Sequence, residues 1–225
     1  MTASDPMPDT VLVIGGSGRT GRLVVRHLLP ERLVRVMSRR PAADDPRVEA
    51  VRGSITDADA MRAAMHGCAA VVVSVEPPAD RAGAHATLDD GVRLVAEIAH
   101  DVGATVVLVS QIYISRPDAY PAMTDVIRAR GAGEQALRES GAGYTIVRPS
   151  WLTDEPAGGG VRVEQGDRGA GEVGRDDLAA ASVAALGDRN AHGKTFELYA
   201  DREASPPDWP AIFARLATDE RQASS

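Results

Sequence analysis

Residues 10–29 of the chain, TVLVIGGSGRTGRLVVRHLL, constrain its fold more than any other stretch. A short β-branched apolar run leads into a loop with four glycines, and a helical pattern follows over 19–29. Glycines suit such a loop because the chain turns tightly and its backbone approaches both the next helix and a bound pyrophosphate. The stretch therefore predicts a strand, a phosphate-binding turn and a helix, which together open a βαβ unit.

Short apolar segments recur along the chain and alternate with helical patterns. Several are almost continuous Val, Ile and Leu, which is typical of strands buried on both faces of a parallel sheet. The alternation predicts an α/β fold, a Rossmann-type doubly wound and mostly parallel sheet in a single domain. We predict strands at 10–15, 33–38, 48–53, 70–75, 104–110, 144–149 and 194–200, and helices at 19–29, 57–66, 88–102, 121–140 and 176–186.

Single residues indicate where several helices begin and end. Asp57 and Asp176 are placed to accept hydrogen bonds from first-turn amides, and Gly103 and Gly141 stand where helices should stop. After Trp209 the sequence is typical of an amphipathic helix, which could close a pocket or a dimer interface.

The segment 151–174 interrupts the alternation, because it is rich in glycine and charge and holds one short strand candidate near 161–165. A helix and a strand follow it, so we expect a long loop outside the strand ends, where ligands bind in such sheets. The predicted organisation is a disordered tail at 1–9, a dinucleotide-binding domain at 10–217 with substrate loops at 111–120 and 151–174, and a polar tail at 218–225.

Composition argues against several classes of protein. Acidic residues outnumber basic ones by 32 to 25, and the net charge of -7 offers no attraction to nucleic acid or anionic lipid. Cys68 is the single cysteine, which excludes an internal disulfide and fits a reducing compartment. No apolar run approaches the roughly 20 residues that cross a bilayer, and the N-terminal MTASDPMPD lacks the pattern of a signal peptide. We expect a soluble, cytoplasmic monomer or homodimer that acts on a small molecule.

The glycine loop satisfies both the G-x-x-G-x-x-G and the G-x-G-x-x-G patterns. Because it follows a strand and opens a helix, the alternative of a glycine turn without a ligand is disfavoured. Free first-turn amides and the positive end of the helix would face the phosphates. The loop residues predicted to bind the cofactor are Gly15, Ser17, Gly18, Arg19, Thr20 and Gly21.

The end of the second predicted strand indicates which dinucleotide binds. A site for NAD usually has Asp or Glu about 20 residues after the loop, bonded to the ribose 2′-hydroxyl. Here the strand ends in Ser38-Arg39-Arg40 without a carboxylate, and Arg39 lies 18 positions after Gly21. Arg39 could hold a 2′-phosphate, with Arg19 reaching the same group, although solvated surface arginines are the alternative. We therefore predict NADP(H).

Two further strand ends add candidate cofactor residues. Ser54 and Ile55 follow the third strand, in a turn expected to run beside the adenine, where Asp57 is equally well explained as a helix cap. Ser74 and Val75 leave the fourth strand where the nicotinamide ribose is expected.

Several motifs carry a resemblance to a known family. GGSGRTG, SRRP, GSITDADAM and VLVS are followed by LRESGAGYTIVRPSWLTD at 137–154 and by GRDDLAAASVAAL. Over roughly residues 10–200 the chain resembles the atypical short-chain dehydrogenases/reductases. The most similar branch is the NmrA-like, NAD(P)H-binding group, which also includes biliverdin reductase B/flavin reductase-like enzymes. The resemblance implies a Rossmann-type domain and gives the loop after the sixth strand a part in the substrate pocket.

The sequence departs from that family at its catalytic pair. The larger family uses Tyr-x-x-x-Lys, with a serine at the end of the fifth strand, and Ser110 fits the serine position. Arg130 stands at the position of the lysine and Val126 at that of the tyrosine. An arginine stays protonated and does not lower the pKa of a phenol as the lysine does. The resemblance still implies that Arg130 borders the cofactor.

The remaining candidates concern the substrate. Ser110 is placed to hydrogen-bond a substrate carbonyl, with a strand-end cap as the equal alternative, and Tyr113 is the better candidate for a proton donor. His85 is better explained as a solvated loop residue, and no spacing of ligands indicates a metal. The residues predicted to line the substrate pocket are Gln111, Tyr120, Pro149 and Trp151, although simple packing is the alternative for Tyr120 and Trp151.

Two functions from different classes remain open. The first is an NADPH-dependent reductase of conjugated carbonyls, quinones or flavins, or an isomerase or tailoring enzyme that keeps the cofactor. The second is a redox sensor of the NmrA type that binds the dinucleotide without turnover. The missing Tyr-x-x-x-Lys pair favours the sensor, whereas Ser110 and a pocket loop with a tryptophan favour the enzyme.

Overall fold

The sheet of the protein confirms the predicted fold class. The computed structural model describes residues 10–40, 45–78, 80–155 and 159–219. Eight strands lie in the order β3-β2-β1-β4-β5-β6-β10-β8, all parallel except β8, which is antiparallel to β10. They are β1 (Thr10–Ile14), β2 (Leu33–Ser38), β3 (Val48–Arg52), β4 (Cys68–Val73), β5 (Thr105–Val109), β6 (Tyr144–Pro149), β8 (Gly160–Glu164) and β10 (Lys194–Asp201). A separate parallel pair is formed by β7 (Trp151–Thr153) and β9 (Glu172–Gly174).

Helices connect the parallel strands. They are α1 (Arg19–Leu28), α2 (Ala58–Met65), α3 (Arg81–His85), α4 (Gly91–Val102), α5 (Thr124–Glu139), α6 (Arg175–Gly187) and α7 (Trp209–Arg215). A π-helical turn, Ala86–Asp90, joins α3 to α4, and 3₁₀ turns lie at Pro117–Ala119, Pro121–Met123 and Arg189–Ala191. None of the helices in the described ranges is long and apolar enough to cross a membrane.

The strands bury both of their faces, which explains their nearly continuous apolar sequences. In β1, Val11 and Val13 face α1, α6 and α7, whereas Leu12 and Ile14 face α2 and α4. Side chains alternate between the faces of a strand, so every position needs an apolar residue when helices cover both sides. The core is therefore two apolar layers separated by the sheet.

Most predicted elements are confirmed, with ends that differ by a few residues. The helix predicted at 88–102 differs most, because helical winding already begins at Arg81 and passes through the π-helical turn. The pair β7 and β9 was missed, since three-residue strands are too short to show a period of two.

Asp57 is confirmed as an N-cap, its Oδ1 accepting the amide of Ala60 at 3.1 Å. The expectation for Asp176 is wrong: α6 follows Gly174, and the Asp176 carboxylate pairs instead with Arg26 at 2.6 Å and His27 at 2.8 Å on α1.

Gly103 and Gly141 follow the last turns of α4 and α5 with φ of +73° and +81°, as expected of residues that end helices. The predicted tail at 1–9 lies outside the described residues. Of the segment at 218–225 the structure describes only 218 and 219. Asp219 accepts hydrogen bonds from Thr195 and Arg138, which attaches it to β10 and α5.

Gly15 is the first residue after β1, where the chain enters the glycine loop and passes close to the residue after β4. It has φ +82°, and a Cβ added there would lie 2.1 Å from the carbonyl oxygen of Ser74. We expect Gly15→Ala to lower the free energy of unfolding by more than Gly67→Ala. Gly67 has φ +73° but nothing within 4 Å of its Cβ position. In the control Gly67→Ala the free energy of unfolding should fall only by the strain of a left-handed alanine, about 1–2 kcal/mol.

Urea unfolding of both variants measures the difference. Equal losses would show that the contact with Ser74 does not constrain the loop.

Candidate functional site

The glycine loop lies at the carboxyl edge of the sheet, between β1 and the start of α1. The Gly15 amide donates to Met37 at 3.0 Å, and the Gly18 amide donates to Gly15 at 2.9 Å. A Cβ on Gly21 would lie 2.2 Å from the Gly15 carbonyl oxygen, so α1 packs directly on the loop. Gly18 caps α1 without a side-chain hydrogen bond, which leaves the first-turn amides to an external acceptor. Of the other loop residues, Ser17 and Thr20 are partly exposed.

Arg19 forms an ion pair with the residue that follows β7. Its guanidinium pairs with Asp154, whose other carboxylate oxygen accepts from Arg175 at 2.7 Å. Arg19 and Asp154 are about two-thirds exposed, so a screened surface pair of this kind contributes little stability. The pair nevertheless joins the start of α1 to the start of α6 across the edge of the sheet.

The ends of β2, β3 and β4 place the other predicted cofactor residues along the same edge. Arg39 is exposed and has no hydrogen bond or ion pair with another described residue. Ser54 is bonded within its own turn, to the Thr56 hydroxyl at 2.9 Å, and Ile55 is buried in the core. Ser74 and Val75 are partly exposed beyond β4. These backbone positions are consistent with a dinucleotide that crosses the edge of the sheet.

Ser110 lies at the centre of this edge, directly after β5. Its amide donates to Val147 at 2.8 Å and its side chain is buried, yet Oγ has no hydrogen-bond partner among the described residues. The strand-end cap considered for Ser110 is therefore not formed with any of them. Ser110 lines a small recess together with Arg130 and the apolar side chains of Val75, Leu88, Val92 and Leu108.

Arg130 projects from α5 to the same place. Its Nη1 donates to the carbonyl of Val109 at 3.2 Å, whereas Nε is buried without a partner in the described part of the chain. Burial lowers the pKa of Arg130 to about 10, against the opposing effect of Glu134 and Glu76. The guanidinium is therefore still protonated at neutral pH. The structure thus brings Ser110 and Arg130 together.

Tyr113 is held in a left-handed conformation by a residue that sequence reasoning missed. Tyr113 and Asp167 have φ of +76° and +55°, and they are the non-glycine residues with positive φ in the described ranges. The Asp167 carboxylate accepts the Tyr113 amide at 2.6 Å, the Ser115 amide at 2.7 Å and the Ser115 hydroxyl at 2.9 Å. The Asp167 amide donates in turn to Glu197 at 3.1 Å. An acidic residue in the glycine-rich stretch QGDRG was the available signal.

Three of the predicted substrate-side aromatic residues form one cluster. The Tyr113 and Tyr120 rings stack with centroids 4.1 Å apart, and the Trp151 ring lies 6.2 Å from Tyr113. A hydrogen bond with Tyr113 raises the pKa of Tyr120, so its phenol stays protonated at neutral pH. Trp151 is about half exposed and forms a wall open to solvent. Pro149 is buried at the end of β6, and the side-chain amide of Gln111 donates to the carbonyl of Ile112 at 3.4 Å.

A network of buried charged residues joins β6, α5 and β10. Arg148 donates to both oxygens of Glu134, at 3.0 and 2.6 Å, and to Glu197 at 3.1 Å. Although burial opposes it, hydrogen bonding to Glu134 raises the pKa of Arg148. Burial also raises the pKa of Glu197. An isolated glutamate in the apolar strand KTFELYA was the sequence signal for this network.

His85 lies outside this arrangement. It ends α3 with its ring between Asp89, at 3.3 Å, and Asp90, at 3.2 Å. Asp89 is buried and also pairs with Arg93 at 3.4 Å, whereas His85 and Asp90 are exposed.

Comparisons with known proteins agree with this geometry. A family described as NAD(P)H-binding matches residues 15–189. The (4-alkanoyl-5-oxo-2,5-dihydrofuran-3-yl)methyl phosphate reductase of Streptomyces griseus is 32% identical over 217 residues, which is 92% of this chain and 73% of that protein. A putative NAD-dependent epimerase/dehydratase from Bacillus halodurans has a TM-score of 0.80 at 23% identity, over 92% of this chain and all of that one. A short-chain dehydrogenase/reductase from Veillonella parvula, solved in complex with NADP, has a TM-score of 0.72 at 16% identity, over 90% of this chain and all of that one.

We expect Asp167→Asn to destabilise the protein by about 1–3 kcal/mol, because an amide cannot accept all three hydrogen bonds and turns a donor towards other donors. Asp118→Asn is the matched control, since Asp118 is exposed and forms a surface ion pair with Arg128 on α5. The control should change stability by less than about 1 kcal/mol. Urea unfolding measures both, and equal effects would show that Asp167 does not hold the Tyr113 backbone.

Proposed function

The chain belongs to the NAD(P)H-binding family, and from that membership we propose that it is an NADPH-dependent reductase of conjugated carbonyl, quinone or flavin-type acceptors. The observation that carries this proposal is the Ser110 hydroxyl, buried and unpartnered beside a recess at the edge where the cofactor is expected. A buried hydroxyl without a partner costs free energy, so a bound substrate oxygen explains it better than packing does.

The residues present fit a dinucleotide. A side chain on Gly15 would collide with the backbone of Ser74 and one on Gly21 with that of Gly15, so the loop stays bare and close to α1, whose start offers amides to the pyrophosphate. When bound, NADPH supplies a hydride. Val75 and Ser110 then border the nicotinamide end of the site, and Arg39 faces the adenosine end.

The aromatic cluster supplies the proton. Tyr113 and Tyr120 are phenols in contact, with the pKa of Tyr120 raised by their hydrogen bond. A phenol that stays neutral at pH 7 can donate to a carbanion or an enolate as it forms. Trp151 provides a flat surface against which a conjugated acceptor can stack.

The Streptomyces griseus relative supports an acceptor of this kind. Its name describes a reductase of an acyl-substituted unsaturated lactone that carries a phosphate. At 32% identity over most of both chains, a conjugated carbonyl is the substrate class we propose here as well.

One observation favours a second candidate, a sensor that binds NADP(H) without turnover. Val126 and Arg130 occupy the positions at which the larger family has its Tyr-x-x-x-Lys pair. In that case NADPH binds and no acceptor oxidises it.

We expect protein-dependent oxidation of NADPH by at least one acceptor in a panel of enones, quinones and flavins, followed by stopped-flow absorbance. Ser110→Ala should lower kcat about 10- to 100-fold, because a hydrogen bond to the developing oxyanion is lost, with the Kd for NADPH unchanged. Ser150→Ala is the matched control, since Ser150 is also buried with an unpartnered Oγ but lies after β6 and outside the recess.

Tight binding of NADPH with no turnover on any acceptor would favour the sensor. Equal losses in the two serine variants would contradict the role of Ser110.

Arg39 is proposed to select NADP(H) by binding the 2′-phosphate. Arg39→Ala should raise the Kd for NADPH about tenfold or more, since a charge-assisted bond contributes about 1.5–3 kcal/mol, and should leave the Kd for NADH unchanged. Arg40→Ala, which removes the neighbouring exposed arginine, should leave both constants unchanged. Fluorescence titration measures them, and an equal loss for both cofactors in Arg39→Ala would overturn the assignment.

A further inference from the structure

Two buried polar atoms without partners belong to residues that line the same recess. They are Ser110 Oγ and Arg130 Nε, and the other residues of the recess are apolar. Native proteins satisfy nearly all buried polar groups, so an unpartnered hydroxyl beside an unpartnered guanidinium nitrogen indicates a ligand atom that both can bind. Both groups can donate a hydrogen bond, which points to an oxygen that is negatively charged or becomes so.

One hydrogen bond to the backbone positions the guanidinium of Arg130. Nη1 donates to the carbonyl of Val109, the residue before Ser110, which keeps the guanidinium beside the serine. The recess has about 10 Å³ of free space, which is roughly what one water-sized group occupies. It therefore admits a single oxygen, while the rest of the ligand lies outside it. The apolar walls keep out bulk water and strengthen the attraction between the guanidinium and an anion.

We propose that Arg130 and Ser110 together bind the oxygen of an enolate, and that the enzyme reduces carbon–carbon double bonds conjugated to a carbonyl. The inference rests on the proposed reductase function. Hydride from NADPH adds to the β-carbon, the π electrons move to the carbonyl oxygen, and the enolate forms in the recess. A proton then adds to the α-carbon, so that a saturated carbonyl compound and NADP⁺ are produced.

The chemistry of the two donors favours this step over reduction of the carbonyl itself. Reduction of a ketone makes an alkoxide, which needs a proton delivered at the oxygen. Arginine does not give up its proton in proteins, and no described residue is bonded to Ser110 Oγ to pass one on. An enolate needs only charge stabilisation at its oxygen, since its proton adds at carbon, and in the proposed reaction a phenol of the aromatic cluster such as Tyr113 supplies that proton.

Binding of an enolate mimic tests the role of Arg130 without turnover. Para-nitrophenol is the probe, titrated by absorbance into the complex of the protein with NADP⁺. The wild type should bind the phenolate and lower the apparent pKa of the phenol. Arg130→Met and Ser110→Ala should each weaken binding at least tenfold, with the Kd for NADP⁺ unchanged. Arg128→Met is the matched control, an exposed arginine on the same helix that pairs with Asp118 and should have no effect.

Equal phenolate binding in the wild type and Arg130→Met would overturn the inference. So would a loss of NADP⁺ affinity in Arg130→Met, because Arg130 would then be a cofactor ligand. Arg130→Lys distinguishes loss of the charge from loss of the fold. It keeps the positive charge, so it should retain part of the phenolate binding. Thermal melting of each variant verifies that it is folded.

A pair of acceptors tests the reaction itself. An α-acetyl butenolide should be reduced at its double bond, whereas the corresponding saturated α-acetyl lactone should not be reduced at its ketone. Reduction of both at similar rates would overturn the enolate inference and leave the reductase function standing. Absence of NADPH oxidation by every acceptor would overturn the reductase function, and the phenolate titration would still decide whether Arg130 binds an oxyanion.

Discussion

The carboxylate of Asp167 is the constraint on which the arrangement of the aromatic cluster depends. Its three hydrogen bonds to the amides and hydroxyl of residues 113–115 keep Tyr113 at a positive φ. Such backbone costs about 1–3 kcal/mol and persists only where its surroundings determine it. Bonds to a charged acceptor contribute about 1.5–3 kcal/mol each, enough to offset that cost. The stacked rings of Tyr113 and Tyr120 therefore depend on a residue more than fifty positions away.

The buried charges behind Asp167 join the two halves of the site. Arg148 on β6 binds Glu134 on α5 and Glu197 on β10, and Glu197 holds the Asp167 amide. A buried ion pair is weak evidence for stability, because desolvation can exceed the attraction between its members. The network instead positions two parts of the site. It binds α5, which carries Arg130, and through Glu197 on β10 it binds Asp167, which holds the Tyr113 backbone.

The parallel sheet and the glycine turn could be predicted from the sequence, whereas the contacts that hold Tyr113 and Arg148 could not. The glycine loop and the parallel strands are local patterns whose physical cause lies within a few residues. The Asp167 bonds, the Arg148 network and the pairing of β7 with β9 join segments far apart in the chain, and no local pattern reports them. Asp176 shows the same limit: its local context suited a cap, but ion pairs with α1 took its carboxylate.

The order of these contacts along the chain has a consequence during synthesis. Strands β3, β2, β1, β4 and β5 use only residues 10–109, and they are neighbours in the sheet, so a nascent chain can assemble the dinucleotide edge early. Asp167, Glu197 and Asp219 leave the ribosome much later. Until Asp167 and Glu197 are made, the hydrogen bonds that hold Tyr113 in its left-handed conformation cannot form. A partly made chain can therefore form the edge that carries Ser110 well before Tyr113 is held in its final conformation.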